Sequence, residues 1–223
     1  MPGAIRGEEE AMTRYPDAHT HAMRTPLHPF DLVNIELPFD GKLDERRIYS
    51  AGIHPCSNPA GWEKGFAQLE QWITLPQLRA IGECGLDRRF GAPPEEQKKI
   101  FLRQVALAAV HGKPLVLHNY KASDEMLKIH NIYSDIPFIL HGFRSNVSVM
   151  EMFRRRGFFF SYGIRFNAEA LKNTPIEYLL LETDEASEEA LQLLYTRVAA
   201  LRGMCVEELA EQMKKNMSAL FSI

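Results

Sequence analysis

The chain has 223 residues, of which 45% are hydrophobic and 25% charged, and its formal net charge is −3. That length suits one barrel or one doubly wound α/β domain, is short for two, and can bury a sizeable core without staples. The slightly acidic balance speaks against bulk electrostatic attachment to nucleic acid or to an anionic membrane, and three scattered cysteines (Cys56, Cys84, Cys205) speak against a disulfide framework or a thiolate zinc site.

Residues 1–11 are polar, with Glu8, Glu9 and Glu10 in a row, and are expected to form a disordered extension ahead of a single domain over 12–223. The start has no apolar core of a secretory signal, and no apolar run approaches the ~20 residues of a transmembrane helix. A soluble, cytoplasmic protein with no membrane attachment is expected. Short β-type runs then alternate with amphipathic helical stretches, the pattern of a parallel α/β sheet or barrel. Strands are predicted over 14–19, 31–36, 48–53, 79–83, 114–118, 137–141, 158–162 and 178–183. Helices are predicted over 62–73, 95–111, 121–131, 146–156, 187–202 and 206–221. The second of these opens on Pro94 with Glu95 and Glu96 in its first turn and stops at Gly112. Between His21 and the third strand come Pro26, Pro29, Pro38 and Gly41, which leave room for one strand and at most fragments of helices. The expected fold is α/β, a TIM-type (β/α)8 barrel abbreviated around the first two βα units.

Potential ligands stand at or just past the ends of these strands. Asp17-Ala18-His19-Thr20-His21 closes the first, and in an extended backbone His19 and His21 share a face, with Asp17 alongside as a ligand or a partner to one. Glu83 ends the fourth strand between glycines, where a carboxylate is costly to bury unless a cation balances it. His118 follows Pro114-Leu115-Val116-Leu117, and His141 follows Phe138-Ile139-Leu140. Asp184 ends the last strand, with Glu182 deeper on the same face and Thr183 on the other. Any one of these residues has an ordinary structural explanation. Together they place N and O donors at several neighbouring strand ends, where barrel active sites gather, and so predict a metal centre. His54, in Ala51-Gly52-Ile53-His54-Pro55, either lines that site or shapes its loop, and Asp87 is expected to orient a ligand or a loop.

The segments DAHTH (17–21), AGIHP (51–55), AIGECGLD (80–87), KPLVLH (113–118), LHGF (140–143) and LLLETD (179–184) make the chain resemble the TatD family of metal-dependent hydrolases. The resemblance spans nearly the whole chain. It implies that His19, His21, Glu83, His118, His141 and Asp184 are metal ligands, with Glu83 bridging two ions. It implies divalent cofactors, two ions of Mg, Mn or Zn, and deoxyribonuclease activity on phosphodiester bonds. The loops depart from the family pattern. Its Ser-Arg-Asp-Ala reads Asn119-Tyr120-Lys121-Ala122 here, its Cys-Phe-Ser-Gly reads Gly142-Phe143-Arg144-Ser145, and its Ala-Pro after the last aspartate reads Glu185-Ala186.

The expected chemistry is hydrolysis by water activated between two ions, with Asp184 as general base and Glu83 as the bridge. Arg24, Arg88, Arg89, Lys121, Arg144 and Arg165 follow strand ends, and His54, Arg88, Lys121, Arg144 and Arg165 are the candidate contacts to a phosphate ester or DNA. The alternatives are an amidohydrolase acting on C–N or C–O bonds and a non-catalytic metal-binding derivative. No protein partner is evident.

Overall fold

The computed structural model describes residues 14–57 and 60–223, so the expected extension over 1–11 lies outside the described residues. Eight parallel strands follow one another around a single sheet in chain order: β1 (Asp17–Thr20), β2 (Asp31–Glu36), β3 (Ile48–Gly52), β4 (Leu78–Asp87), β5 (Leu115–Tyr120), β6 (Phe138–Leu140), β7 (Phe159–Tyr162) and β8 (Leu179–Leu181). The last meets the first through a parallel bridge between Thr20 and Asp184, flanked by Asp184 N–H to the His19 carbonyl (2.9 Å) and His21 N–H to the Asp184 carbonyl (3.1 Å). The result is a TIM barrel. Its helices are α1 (Trp62–Trp72), α2 (Pro94–His111), α3 (Ser123–His130), α4 (Val147–Arg154), α5 (Ala168–Asn173), α6 (Glu188–Arg202) and α7 (Val206–Phe221). Among the described residues no helix stands between β1 and β2 or between β2 and β3, as the proline-rich front of the chain predicts. Helix α5 is absent from the sequence reading. It has six residues, too few to show a helical period, and only its cap signals it, since the Asn167 side chain accepts from the Ala170 N–H.

The inside of the barrel is built in layers. At the bottom Ala18, Leu32, Ala80, Val116, Ile139 and Leu180 form an apolar cluster, with Ile48 and Phe159 packed against it. Met217, Leu220 and Phe221 of α7 join the same cluster and close the floor. The layer above is polar: His19, Asn34, Ser50, Glu83, Ser161 and Glu182 are all buried there. The larger apolar core lies outside the sheet, between strands and helices, and takes Ile81, Cys84 and Leu86 from β4 and Leu115 and Leu117 from β5.

Two strands break the simple alternation. The register shifts between Asp17 and Thr20 in β1 and between Ile81 and Cys84 in β4, which is the signature of an extra residue. In β1 this lets Ala18 and His19 both face inward and turns Asp17 outward. In β4 it lets Ala80 and Glu83 face inward while Ile81 and Cys84 face the outer core. The strand therefore does not end at Glu83, as expected, but runs on to Asp87. Gly82 and Gly85 permit this with φ of 148° and 135°, and a Cβ on Gly85 would collide with the His118 carbonyl.

Phe221 is 2% exposed on the barrel floor. Phe221→Ala should leave a cavity there and cost about 3–5 kcal/mol in urea unfolding. Leu193→Ala, at a position 53% exposed, should change stability by no more than about 0.5 kcal/mol in the same assay.

Candidate metal centre

The bulge in β4 aims Glu83 at the centre of the barrel mouth, where it is 6% exposed and five imidazoles surround it. Its two oxygens face different neighbours. Oε2 lies 3.7 Å from His19 Nε2 and 3.8 Å from His21 Nε2. Oε1 lies 2.6 Å from His141 Nε2, 3.1 Å from His118 Nδ1 and 3.1 Å from His54 Nε2. Burial alone would raise the Glu83 pKa, but the charge of His141 and hydrogen bonds with His118, His141 and His54 hold it well below the usual carboxylate range.

Asp184 completes the first group, with Oδ1 3.5 Å from His21 Nε2 and 3.9 Å from His19 Nε2. It sits at φ 59°, a left-handed conformation that aspartate tolerates better than most residues. The seam hydrogen bonds to His19 and His21 hold it there, so the contact that closes the barrel also brings these three side chains together. Burial pushes the Asp184 carboxyl upward.

The donors fit a divalent cation. His19 is 0% exposed, and neither of its ring nitrogens has a hydrogen-bond partner. Burial lowers its pKa to about 4, so the ring is neutral and keeps a lone pair for a ligand. A buried polar ring with nothing to bind calls for an explanation, and a cation supplies one. Ligand atoms of His19, His21 and Asp184 lie within 4.8 Å of one another, as do those of His19, Glu83 and His141. Imidazole and carboxylate together suit zinc, manganese or a similar ion.

Several neighbours fix these rings. The Glu182 carboxylate, 1% exposed, accepts from the Gly142 N–H (2.6 Å) and lies 3.4 Å from His141 Nδ1. Asp87 lies 2.8 Å from His118 Nε2, which turns Nδ1 of that ring toward Glu83. His54 Nδ1 accepts the Cys56 N–H (3.1 Å), so in the neutral ring Nε2 carries the proton and faces Glu83 as a donor. Two buried glutamines on α2 hold the loops behind them. Gln104 pairs with the N–H and carbonyl of Ile53, and Gln97 does the same for Asp87 while also reaching Phe90 and Ala92. Sequence reasoning passed over both glutamines and gave Glu182 no role. The available signal was a pair of amides two helical turns apart on the buried face of α2.

Asp17 stands elsewhere than expected. Turned outward by the bulge, it accepts from Arg24 (2.7 Å), the Thr183 hydroxyl (2.6 Å) and the Thr183 N–H (3.0 Å), and so braces the β1–β8 seam. Burial raises its pKa to about 6 against the pull of Arg24. The cations after the strands are likewise not gathered into one collar. Arg24 is spent on Asp17. Arg88, next in line after inward-facing Asp87, points away and lines a separate groove with Lys98 and Glu125. Arg144 lines the main cavity, Arg165 shares a small adjoining groove with it, and Lys121 lies over the ring of Tyr120. The cavity above Glu83 has a volume of about 620 Å³, and Glu36, Asp184 and Glu185 are also in its wall.

A family model described as TatD related DNase matches residues 39–222. The metal-dependent hydrolase YabD of Bacillus subtilis is 29% identical over 199 residues, which cover 79% of this chain and 78% of that protein. The 3'-5' ssDNA/RNA exonuclease TatD of Klebsiella pneumoniae is 32% identical over 203 residues, covering 78% of this chain and 76% of that one. Among solved structures, the TatD homolog YjjV of Escherichia coli superposes with a TM-score of 0.66 at 26% identity, covering 79% of this chain and 77% of the other.

The Arg24 side chain is 8% exposed, so Asp17→Ala strands a buried guanidinium. Unfolding in urea should show a loss of about 3–5 kcal/mol for that variant, and a smaller loss when Arg24→Ala is added, because no unpaired charge then remains.

Proposed function

This chain belongs to the family of TatD related DNases and is a metal-dependent hydrolase; from that premise we propose that it cleaves phosphodiester bonds of single-stranded nucleic acid at a two-ion centre. The observation that carries the reading is the division of the Glu83 carboxylate, one oxygen toward His19 and His21 and the other toward His118 and His141. His19, His21 and Asp184 would hold one ion, His118 and His141 the other, and Glu83 would bridge them. Mg, Mn and Zn are the candidate metals. When bound, such ions act as Lewis acids that draw charge from a phosphoryl group and ease the deprotonation of water.

The chain's own residues supply the rest. The Asp184 side chain is 36% exposed at the open mouth, where a carboxylate oxygen can take the proton from the attacking water. His54 donates toward Glu83 from the cavity wall, where it would face a substrate phosphate. Arg144, whose guanidinium lies beside Gly142, meets a substrate oxygen, with Arg165 in the adjoining groove and Lys121 on the rim as further contacts. Arg88 takes no part, since it faces another groove. No lysine is among the residues that line the cavity, which speaks against a carboxylated-lysine amidohydrolase centre. Among the described residues no helix is long and apolar enough to cross a membrane.

Purified protein should carry up to two divalent ions per chain by elemental analysis. His19→Ala combined with His21→Ala should lower that content and abolish hydrolysis; unchanged metal content would remove both residues from the ligand set. Asp184→Asn keeps the size of the side chain but not its basic oxygen, and kcat on a single-stranded oligonucleotide should fall at least ~100-fold. A fall of less than about tenfold would show that Asp184 is not the base.

A further inference from the structure

Resting on the nuclease reading, we infer that Tyr120 is a stacking platform for an unpaired base beside the scissile phosphate. Tyr120 is the last residue of β5, two positions beyond His118 and therefore on the same inward face, one step nearer solvent. It lines the 620 Å³ cavity and is only partly buried. The next residue, Lys121, turns the chain at φ 54° and sets its ammonium 5.5 Å from the centroid of the Tyr120 ring. Among the described residues no aromatic side chain packs on this ring, and its hydroxyl has no hydrogen-bond partner.

The other tyrosines and cavity aromatics are differently placed. Tyr15 stacks on Tyr195, the Tyr49 hydroxyl accepts the Asp44 N–H, Tyr133 packs against the outer core, the Tyr162 hydroxyl bonds to Thr174, and Tyr178 lies against Phe159. Phe143 and Phe153 also line the cavity, but at 6% and 0% exposed they are core residues packed on Phe160 and Phe158. Tyr120 therefore presents to the cavity a ring that no other aromatic covers among the described residues, with the Lys121 ammonium over it as a cation to meet a phosphate. It also stands where the TatD-like motif has arginine. Every base has a π-face, so such a platform is tolerant of sequence, but it needs a base free of its duplex neighbours.

The test compares a single-stranded oligonucleotide with the same strand made abasic at its 3′-terminal residues, which keeps the backbone charge and removes the rings. Tyr120→Ala should raise KM for the intact strand roughly 5- to 100-fold and leave KM for the abasic strand unchanged, the range expected for losing one stacked base. Tyr120→Phe should behave as the wild type, and metal content should be the same in all three proteins. An independent readout uses a terminal 2-aminopurine with metal-loaded Asp184→Asn protein, whose turnover is slow enough for binding to be read first. Its fluorescence should be quenched on binding, with the quenching lost when Tyr120→Ala is added and kept with Tyr120→Phe. Equal effects of Tyr120→Ala on intact and abasic strands, or none on either, would overturn the platform while leaving the nuclease reading in place. Failure of the metal-loaded wild type to cleave either strand would overturn both.

Discussion

Keeping the Glu83 charge inside the barrel sets the terms for most of the mouth. An isolated carboxylate at 6% exposure carries a desolvation cost that no apolar neighbour can offset. The chain meets that cost with imidazoles from β1, β5, the end of β6 and the loop after β3, arranged on both sides of one carboxylate. Three of the rings are then held from behind, His141 beside Glu182, His118 by Asp87 and His54 by the Cys56 N–H. The bulge in β4 belongs to the same solution, because without the extra residue Glu83 would turn toward the outer core that receives Cys84 and Ile81.

Strand order, the missing front helices and the convergence of His19, His21, Glu83, His118, His141 and Asp184 were legible from the chain because they rest on apolar runs and their spacing. The face taken by Asp17 was not. Strict alternation puts Asp17 beside His19 and His21, and nothing in Asp17-Ala18-His19 marks the extra residue that turns it outward. The same blindness ended β4 at Glu83 although the strand continues through Cys84-Gly85-Leu86-Asp87. Arg24 and Arg88 read as loop cations near the mouth, yet a side chain's direction depends on its neighbour. One lies against Asp17, and the other alternates outward after Asp87. Glu182 and the two glutamines of α2 act through buried hydrogen bonds to loops far away in the chain, and no local pattern encodes those partners.

The charge of the cavity bears on how an anionic substrate is drawn in. Glu36, Glu83, Asp184 and Glu185 are in its wall, and among the arginines and lysines Arg144 faces them. Such a wall attracts cations first. On the proposed reading, a phosphodiester approaching it would depend on the positive charge of bound ions more than on the protein's own field, which follows from Coulombic attraction at short range in a partly desolvated site. Metal binding would then govern substrate capture as well as the chemical step.

The floor of the barrel has a further consequence, which concerns the order in which the chain is made. Helix α7 supplies Met217, Leu220 and Phe221 to the single apolar layer beneath the polar mouth, and it follows every strand in the chain. During synthesis, then, His19, Glu83, His118, His141 and Asp184 have all been added before the residues that seal the base. Any state in which the strands have associated while α7 is still undocked has its polar rim assembled and its apolar base open to water. That base is then the surface most in need of protection from other chains.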